Sequence, residues 1–216
     1  TYEDALEYCS QKTDDCYESS LLSQYRFEKF SDFLRDSGNL FDSPSANLLL
    51  FSISMFLRKE GAKIPHLIDF GGACGESVIL LSKIFGEEIF FNSWVCESPV
   101  QVRESQNWEF AKKIQYISEL SQVIEEKNVD IFFTSGTIQY LPDPYAPLER
   151  VADSEIPIVA LTRNNFSLNT KIVVQRSPLS SNGTGQHNEK YGNPYIYYPI
   201  TSVEKTKFMN IFLSRG

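Results

Sequence analysis

The first sixty residues carry apolar side chains at helical spacing. Between residues 2 and 38 the apolar positions recur every three or four residues, with a break at Asp14 and Asp15, which predicts two helices. Ser43 followed by Pro44 is the pair expected at a helix N-terminus, and Gly61 is suited to end that helix near residue 60. We therefore predict a helical cap over residues 1–60.

From residue 61 onward, short apolar runs alternate with longer amphipathic stretches. Strands are predicted at residues 66–70, 89–97, 114–117, 129–134 and 156–161. Helices are predicted at residues 75–85, 99–110, 119–127, 145–152 and, last, 201–213. Such alternation is typical of an α/β fold with a doubly wound, mostly parallel, Rossmann-like sheet. We assign this domain to residues 61–216.

Composition narrows the class of protein. The chain has 216 residues and a formal charge of −8. An acidic balance argues against nucleic acid as the main partner, since phosphate binding needs clustered Lys and Arg. No apolar run approaches the roughly 20 residues of a membrane span. The four cysteines form no C-x-x-C pair and there are only two histidines, so we predict no metal site and expect a cytoplasmic protein with reduced cysteines.

The charge is divided unevenly along the chain. Residues 156–216 hold two acidic and seven basic side chains, whereas most acidic side chains precede residue 156. One interpretation is that the last third of the chain faces an anionic ligand. The other is that it forms an ordinary solvated surface of mixed charge, and the sequence leaves both open.

A glycine-rich turn lies where the first predicted strand meets the first helix of the sheet. The segment D-F-G-G-x-x-G begins with Asp69 and contains Gly71, Gly72 and Gly75. In a doubly wound sheet this turn sits at the carboxyl edge, where ligands bind, and glycines let the backbone approach them closely. The turn lacks the G-x-G-x-x-G pattern of dinucleotide sites, and a carboxylate at Asp69 suits a ligand that carries positive charge.

Two further segments follow later strands of the sheet. Glu97 ends the second predicted strand, 22 residues after Gly75, close to the spacing of about 20 expected for an acid that holds ribose hydroxyls. After the fourth strand, Ser135 leaves room over the sheet edge, and Gln139 and Tyr140 lie within reach of a bound substrate. Tyr140 is equally well explained as a core aromatic residue.

Taken together, three motifs resemble those of a Rossmann-like S-adenosylmethionine-dependent methyltransferase. They are D-F-G-G-x-x-G at residues 69–75, W-V-C-E-x-P at 94–99 and S-G-T-I-Q-Y-L-P-D-P-Y at 135–145. More narrowly, the chain resembles a group of methyltransferases found with bacterial surface-polysaccharide genes. That resemblance extends to Arg163 and to the segments Val174-Gln175 and Tyr198-Pro199, and it covers nearly the whole chain.

The resemblance implies that the chain binds S-adenosylmethionine at the carboxyl edge of the sheet. The glycine turn would bracket the amino acid portion of the cofactor, Asp69 would lie near its amino group, and Glu97 would hold its ribose. Ser118 and Ile117 would flank the adenine, and Ser135 would complete the cofactor site. The acceptor would be a small polar molecule, such as a sugar or a nucleotide-linked sugar of surface-polysaccharide biosynthesis.

Candidates for a base or for a clamp on the acceptor lie after the fourth and fifth strands. Tyr140, Arg163 and His187 are the predicted catalytic residues, with Tyr191 and Glu189 as further candidates. Arg163 suits an anionic acceptor, and its alternative role is an ion pair with a neighbouring acid. His187 lies in a polar stretch, residues 180–193, that could form a lid, although a lone histidine in a loop is more often a surface residue.

Two other functions stay open on the sequence. A nicotinamide-dependent oxidoreductase would use the same sheet, but the missing G-x-G-x-x-G pattern disfavours it. A non-catalytic S-adenosylmethionine-binding domain is permitted, because the sequence offers no obvious base. It also lacks, after the predicted last helix, the antiparallel hairpin that usually closes a methyltransferase sheet. The oligomeric state is not fixed by the sequence.

Overall fold

A computed structural model describes residues 1–12, 19–125 and 128–214 of the chain. Its helices are α1 (Tyr2–Ser10), α2 (Ser20–Arg35), α3 (Pro44–Glu60), α4 (Glu76–Phe85), α5 (Pro99–Ser105), α6 (Ser121–Ile124), α7 (Ala146–Asp153) and α8 (Lys205–Leu213). Its strands are β1 (Leu67–Phe70), β2 (Ser93–Cys96), β3 (Gln115–Ile117), β4 (Ile131–Ser135), β5 (Ile158–Thr162), β6 (Phe166–Ser167), β7 (Lys171–Pro178) and β8 (Tyr195–Glu204). The predicted break at Asp14 and Asp15 lies outside the described residues, as does Cys16.

Five strands form one parallel sheet in the order β3-β2-β1-β4-β5. Neighbouring strands are in register, so that Asp69 of β1 lies between Val95 of β2 and Phe133 of β4. The strand order and the alternation with helices confirm the predicted doubly wound, Rossmann-like sheet. The strand order reverses between β1 and β4, and the glycine turn follows β1 at this switch point.

The sheet buries apolar side chains on both faces. Because successive side chains of a strand point to opposite faces, Ile68 and Phe132 lie in one apolar cluster and Ile131 and Phe133 in another. The second cluster also contains Phe27 of α2 and apolar residues of α3 and α4. Helices α2 and α3 therefore share a core with this face of the sheet, and the predicted boundary at residue 60 stays a prediction.

The predicted start and end of α3 are confirmed. The Ser43 hydroxyl accepts a hydrogen bond from the Ser45 N–H, and Pro44 occupies the first turn, where its missing N–H costs nothing. Gly61 ends the helix with a φ of 72°, a backbone conformation that favours glycine. Within the described part of the chain, no helix combines the length and the apolar character needed to cross a membrane.

A second, three-stranded sheet follows β5, in the order β6-β8-β7. The antiparallel pair of β7 and β8 runs from Lys171 opposite Ser202 to Pro178 opposite Tyr195. The sequence did not predict this sheet. The predicted last helix, residues 201–213, begins only at Lys205, because the preceding four residues belong to β8. In the described residues the main sheet has no antiparallel strands, and the antiparallel pair stands apart from it.

Three other predicted elements are shorter than expected. Of the helix predicted at 119–127, the described residues form only α6, from Ser121 to Ile124. The predicted strand at 89–97 begins only at Ser93, and residues 86–91 form a 3-10 helix in which Ile89 is buried and Phe91 is exposed. The predicted helix at 99–110 ends at Ser105, whose hydroxyl donates a hydrogen bond to the Val102 carbonyl. Such bonding to the preceding turn competes with helical hydrogen bonds and helps to end the helix.

Candidate functional site

The backbone of the glycine turn leaves no room for side chains. Gly71 has a φ of 72°, and a Cβ built on it would lie 2.0 Å from the Thr137 hydroxyl oxygen. A Cβ on Gly72 would lie 2.5 Å from the Asp69 carboxylate, and one on Gly75 would lie 2.5 Å from the Ile114 side chain. The turn therefore needs glycine at all three positions, and it lies directly over Asp69.

The N–H groups of the turn donate to carboxylates of the chain itself. The Ala73 N–H donates to one oxygen of Glu97 at 3.0 Å, and the other oxygen accepts from the Ser98 N–H at 2.9 Å. The Cys74 N–H donates to Glu76 at 3.0 Å. A pyrophosphate needs such N–H groups for itself, so this turn is poorly suited to a dinucleotide. The carboxylates instead make the turn negative.

Asp69 is the most deeply buried acid of the turn. Its side chain is 2% exposed, and one of its carboxylate oxygens has no hydrogen-bond partner in the described part of the chain. Burial raises the pKa of this carboxyl to about 7, a hydrogen bond with Ser77 opposes that rise, and the charges of Glu76 and Glu97 add to it. A buried acceptor without a partner is costly unless a ligand supplies the donor.

Arg26 of α2, which was not predicted from the sequence, lines a cavity together with Gly71 and Ala73 of the turn. It is only 6% exposed, and a Cβ on Gly183 would lie 3.1 Å from the Arg26 Cγ. Its positive charge acts to lower the pKa of Glu76, whereas burial, the larger effect, raises that pKa. The available signal was a cation within the apolar helical pattern of α2, at a position whose neighbours Tyr25 and Phe27 are buried.

A groove crosses the glycine turn along the carboxyl edge of the main sheet. It consists of three adjoining cavities of about 210, 410 and 280 Å³, and Gly71 lines all three. The groove brings together most residues predicted from the sequence: Asp69, Gly71, Gly72, Glu97, Ser118, Ser135, Tyr140 and Arg163. Gly75 lies behind the turn, as the N-cap residue of α4.

The polar side chains that line the groove differ from one cavity to the next. Its smallest cavity lies beside Glu97 and Ser118, at the carboxyl ends of β2 and β3. The middle cavity has Arg26, Glu76 and Arg163 in its walls, and the last one reaches Asp69 beneath the turn. The arrangement can bind an elongated ligand with hydroxyls at one end and charged groups at the other.

Arg163 is fixed at the carboxyl end of β5. Its backbone φ is 57°, a left-handed conformation that costs roughly 1–3 kcal/mol for a residue other than glycine. The Arg163 Nε donates to the Ser135 hydroxyl at 2.9 Å, and its Nη2 donates to the Ser135 carbonyl at 3.2 Å. The Ser135 hydroxyl also bonds the Ser45 hydroxyl at 2.8 Å. These bonds hold an exposed guanidinium over the groove, and strained backbone of this kind is often found at functional sites.

The structure separates the other predicted acceptor residues. Tyr140 lines the groove, and its ring packs edge-to-face on Tyr198 at 5.3 Å. His187 lies against α2, where its Nδ1 is 2.8 Å from the Tyr25 hydroxyl, and it is not among the residues that line the groove. Tyr191 also faces α2 and donates to Glu28 at 2.6 Å. Catalytic roles for Tyr140 and His187 stay predictions.

Comparisons with known proteins identify the fold. No protein-family model matches the chain, and neither does any curated protein. Among solved structures, DesVI of Streptomyces venezuelae is 12% identical, with 88% of this chain and 89% of DesVI covered and a TM-score of 0.53. CalS10 of Micromonospora echinaspora, an amino pentose methyltransferase solved with S-adenosylmethionine bound, is 10% identical, with 87% of each chain covered and a TM-score of 0.52.

A third similar structure is KedS8 of a Streptoalloteichus species, a sugar N-methyltransferase. It is 13% identical, with 87% of this chain and 83% of KedS8 covered and a TM-score of 0.51. At such low identity the likeness establishes the fold alone. The chain therefore has the Rossmann-like fold of S-adenosylmethionine-dependent methyltransferases, with a helical N-terminus.

Proposed function

We propose that the chain is an S-adenosylmethionine-dependent methyltransferase that acts on a small polar acceptor. The observation that carries the proposal is the Asp69 carboxylate, buried under a glycine turn and without a partner for one oxygen among the described residues. Three acids surround this turn, and a ligand with an ammonium and a sulfonium complements their charge. The likeness in fold to known methyltransferases supports the same function.

The residues of the groove fit the parts of the cofactor in order. Asp69 would bind the amino group, and Arg26 would bind the carboxylate of the amino acid end. Glu97 would accept hydrogen bonds from the ribose hydroxyls, and Ser118 would lie beside the adenine. When bound, S-adenosylmethionine supplies an electrophilic methyl group for in-line displacement. The protein then contributes by holding the acceptor in line and by excluding water.

We further propose that the acceptor is a sugar that carries an anionic group, such as a nucleotide-linked sugar of surface-polysaccharide biosynthesis. The fixed guanidinium of Arg163 supports an anionic group, and so does the basic last third of the chain. Sugar methyltransferases among the similar structures support a sugar. If the acceptor loses a proton during transfer, we propose Tyr140, which lines the same cavity as Arg163, as the residue that takes part in that step.

The nicotinamide-dependent alternative is weakened by the same turn. The Ala73 and Cys74 N–H groups of the turn already donate to Glu97 and Glu76, so neither is available to a pyrophosphate at the N-terminus of α4. We expect S-adenosylmethionine and S-adenosylhomocysteine to bind with about micromolar Kd in calorimetry, and NAD to give no heat. Heat with NAD alone would favour the oxidoreductase. Cofactor binding without methyl transfer to any acceptor would favour a non-catalytic domain.

Replacing Glu97 by Ala should weaken S-adenosylhomocysteine binding about 10- to 100-fold. The variant loses the acceptor for the ribose hydroxyls and the bond that orients the Ala73 N–H. Glu149→Ala is the matched control, because Glu149 is exposed on α7 and lines none of the groove cavities. If calorimetry finds the same Kd for Glu97→Ala and for the wild type, Glu97 does not bind the ribose.

Replacing Gly72 by Ala should weaken S-adenosylhomocysteine binding at least about tenfold. The new Cβ would lie 2.5 Å from the Asp69 carboxylate and would displace it from the turn. Gly86→Ala serves as the control, because a Cβ at Gly86 would meet no atom within 4 Å, although the φ of Gly86 is also positive, at 73°. That control should lose about 1 kcal/mol of stability and keep its affinity. If Gly72→Ala and Gly86→Ala bind S-adenosylhomocysteine equally well, the close approach of residue 72 to Asp69 does not matter for cofactor binding.

A further inference from the structure

Two segments distant in the sequence meet in register in the second sheet. Gln175 of β7 lies opposite Tyr198 of β8, and Val174 lies opposite Pro199. The Gln175 Nε2 donates to the Tyr198 hydroxyl at 2.9 Å. Both segments belong to the set of motifs that resembles methyltransferases, yet neither contributes to the cofactor site proposed above.

The groove side of this strand pair forms a wall of the 410 Å³ cavity. Gln175 and Ser177 line that cavity together with Tyr198. Because side chains alternate along a strand, Arg176 lies on the opposite face, where its guanidinium stacks 3.4 Å above the Tyr195 ring. Arg176 of β7 thus points away from the groove, whereas the neutral side chains of Gln175 and Ser177 line it.

The chemistry of the wall suits hydroxyl groups. Gln175 donates one of its two amide N–H bonds to Tyr198, and its side-chain carbonyl accepts no hydrogen bond from the described part of the chain. An amide offers a donor and an acceptor side by side, which matches two neighbouring hydroxyls. Tyr198 packs on the edge of Tyr140, so an aromatic pair adjoins the amide. Neutral polar groups beside aromatic rings are suited to a sugar ring.

The fixed Arg163 guanidinium lines the same cavity. The cavity therefore combines a neutral hydrogen-bonding wall with the oriented cation of Arg163, while Arg26, Glu76 and Glu97 line the part that adjoins the glycine turn. A ligand that complements both has a hydroxyl-rich ring and an attached anionic group, and a phosphorylated sugar has both.

We propose that the wall formed by Gln175, Ser177 and Tyr198 binds the pyranose ring of a phosphorylated or nucleotide-linked sugar. In this assignment Gln175 determines specificity by recognising two neighbouring hydroxyls, and Arg163 binds the phosphate. The assignment rests on the proposed function, because it identifies the acceptor of the methyl group. It places ring recognition on the second sheet and not on the main one.

The test measures the preference for a sugar over the corresponding sugar-free ligand. Protein saturated with S-adenosylhomocysteine is titrated with glucose 1-phosphate, UDP-glucose and dTDP-glucose, and separately with inorganic phosphate, UDP and dTDP. At least one sugar should bind about tenfold or more tightly than its sugar-free counterpart, as expected for one or two hydrogen bonds. Gln175→Ala should reduce this preference to less than about threefold, and Arg163→Ala should weaken both members of a pair alike.

Arg176→Ala is the control on the opposite face of β7 and should keep the wild-type preference. Gln175→Met, of similar size, covers the case in which the alanine variant unfolds. The proposal is overturned if no sugar binds better than its sugar-free counterpart, or if Arg176→Ala loses the preference as far as Gln175→Ala does. A titration of the protein with S-adenosylhomocysteine alone separates this failure from a failure of the proposed function, which would appear as absent cofactor binding.

Discussion

Asp69→Asn is expected to stabilise the protein at pH 8 while abolishing S-adenosylhomocysteine binding. Burial raises the pKa of Asp69 to about 7, well above the value of an unfolded aspartate, near 3.9. The Asp69 carboxyl therefore binds its proton more tightly in the folded state than in the unfolded state. The wild type consequently loses stability as the pH rises from about 4 to about 7, and the loss is complete above that range.

The asparagine variant carries no charge at this position and escapes that loss. Three pKa units correspond to about 4 kcal/mol, an upper limit for the gain at pH 8. A gain of about 2–4 kcal/mol would raise the Tm by about 4–16 °C for a chain of this size. The measurement is thermal unfolding of both proteins between pH 5 and pH 9, where the difference in Tm should grow with pH up to about pH 7.

A truncated ligand shows whether Asp69→Asn affects only the contact with the amino acid end of the cofactor or the whole groove. 5′-Methylthioadenosine lacks the amino acid end of the cofactor, so Asp69→Asn should bind it as the wild type does. The control for the pH series is Asp42→Asn, an exposed position that should leave the pH dependence unchanged. A Tm difference between Asp69→Asn and wild type that is the same at pH 5 and pH 8 would contradict the raised pKa.

Arg26→Met is expected to weaken S-adenosylhomocysteine binding about 100-fold. Arg26 is buried in the groove wall, and hydrogen bonds to charged groups contribute about 1.5–3 kcal/mol each. Methionine approximates the aliphatic part of the side chain, so the packing against Gly183 is largely kept. Without the guanidinium, the pKa of Glu76 should rise further, because Arg26 lowers it in the wild type.

The affinity for 5′-methylthioadenosine should change less than about threefold in Arg26→Met, since this ligand has no carboxylate. Arg103→Met, at an exposed position on α5, is the matched control. An equal loss for both ligands would mean that Arg26 supports the fold of the groove without binding the carboxylate. An unchanged affinity for S-adenosylhomocysteine would remove Arg26 from the site.

The main sheet could be predicted from the sequence because its strands are short and three of them, β1, β2 and β4, are almost fully buried. Such strands appear as apolar runs between helical stretches, and the end of β1 is marked by the glycine turn. The second sheet has no such signal. Much of β7 is exposed, and β8 contains Pro199 in its middle. That proline is tolerated because β6 pairs with β8 only at Val203 and Glu204, which leaves β8 with a single neighbour at Pro199.

The candidate site was predictable where it depends on strand ends. Asp69 and Ser135 lie at the carboxyl ends of β1 and β4, Glu97 directly follows β2, and parallel register brings them to one edge. Arg26 and Gln175 reach the same groove from a helix and from the second sheet, and no spacing in the sequence relates them to the glycine turn. Their placement depends on tertiary packing. The catalytic roles of Arg163 and His187 stay predictions.

The central claim is that the groove binds S-adenosylmethionine with its amino acid end at Asp69 and its ribose at Glu97. A crystal structure with S-adenosylhomocysteine tests it most directly. We predict the amino group within hydrogen-bond distance of the unpartnered Asp69 oxygen, the carboxylate beside Arg26 and the ribose hydroxyls on Glu97. A ligand bound elsewhere, or bound in the groove with its ends reversed, would contradict the account.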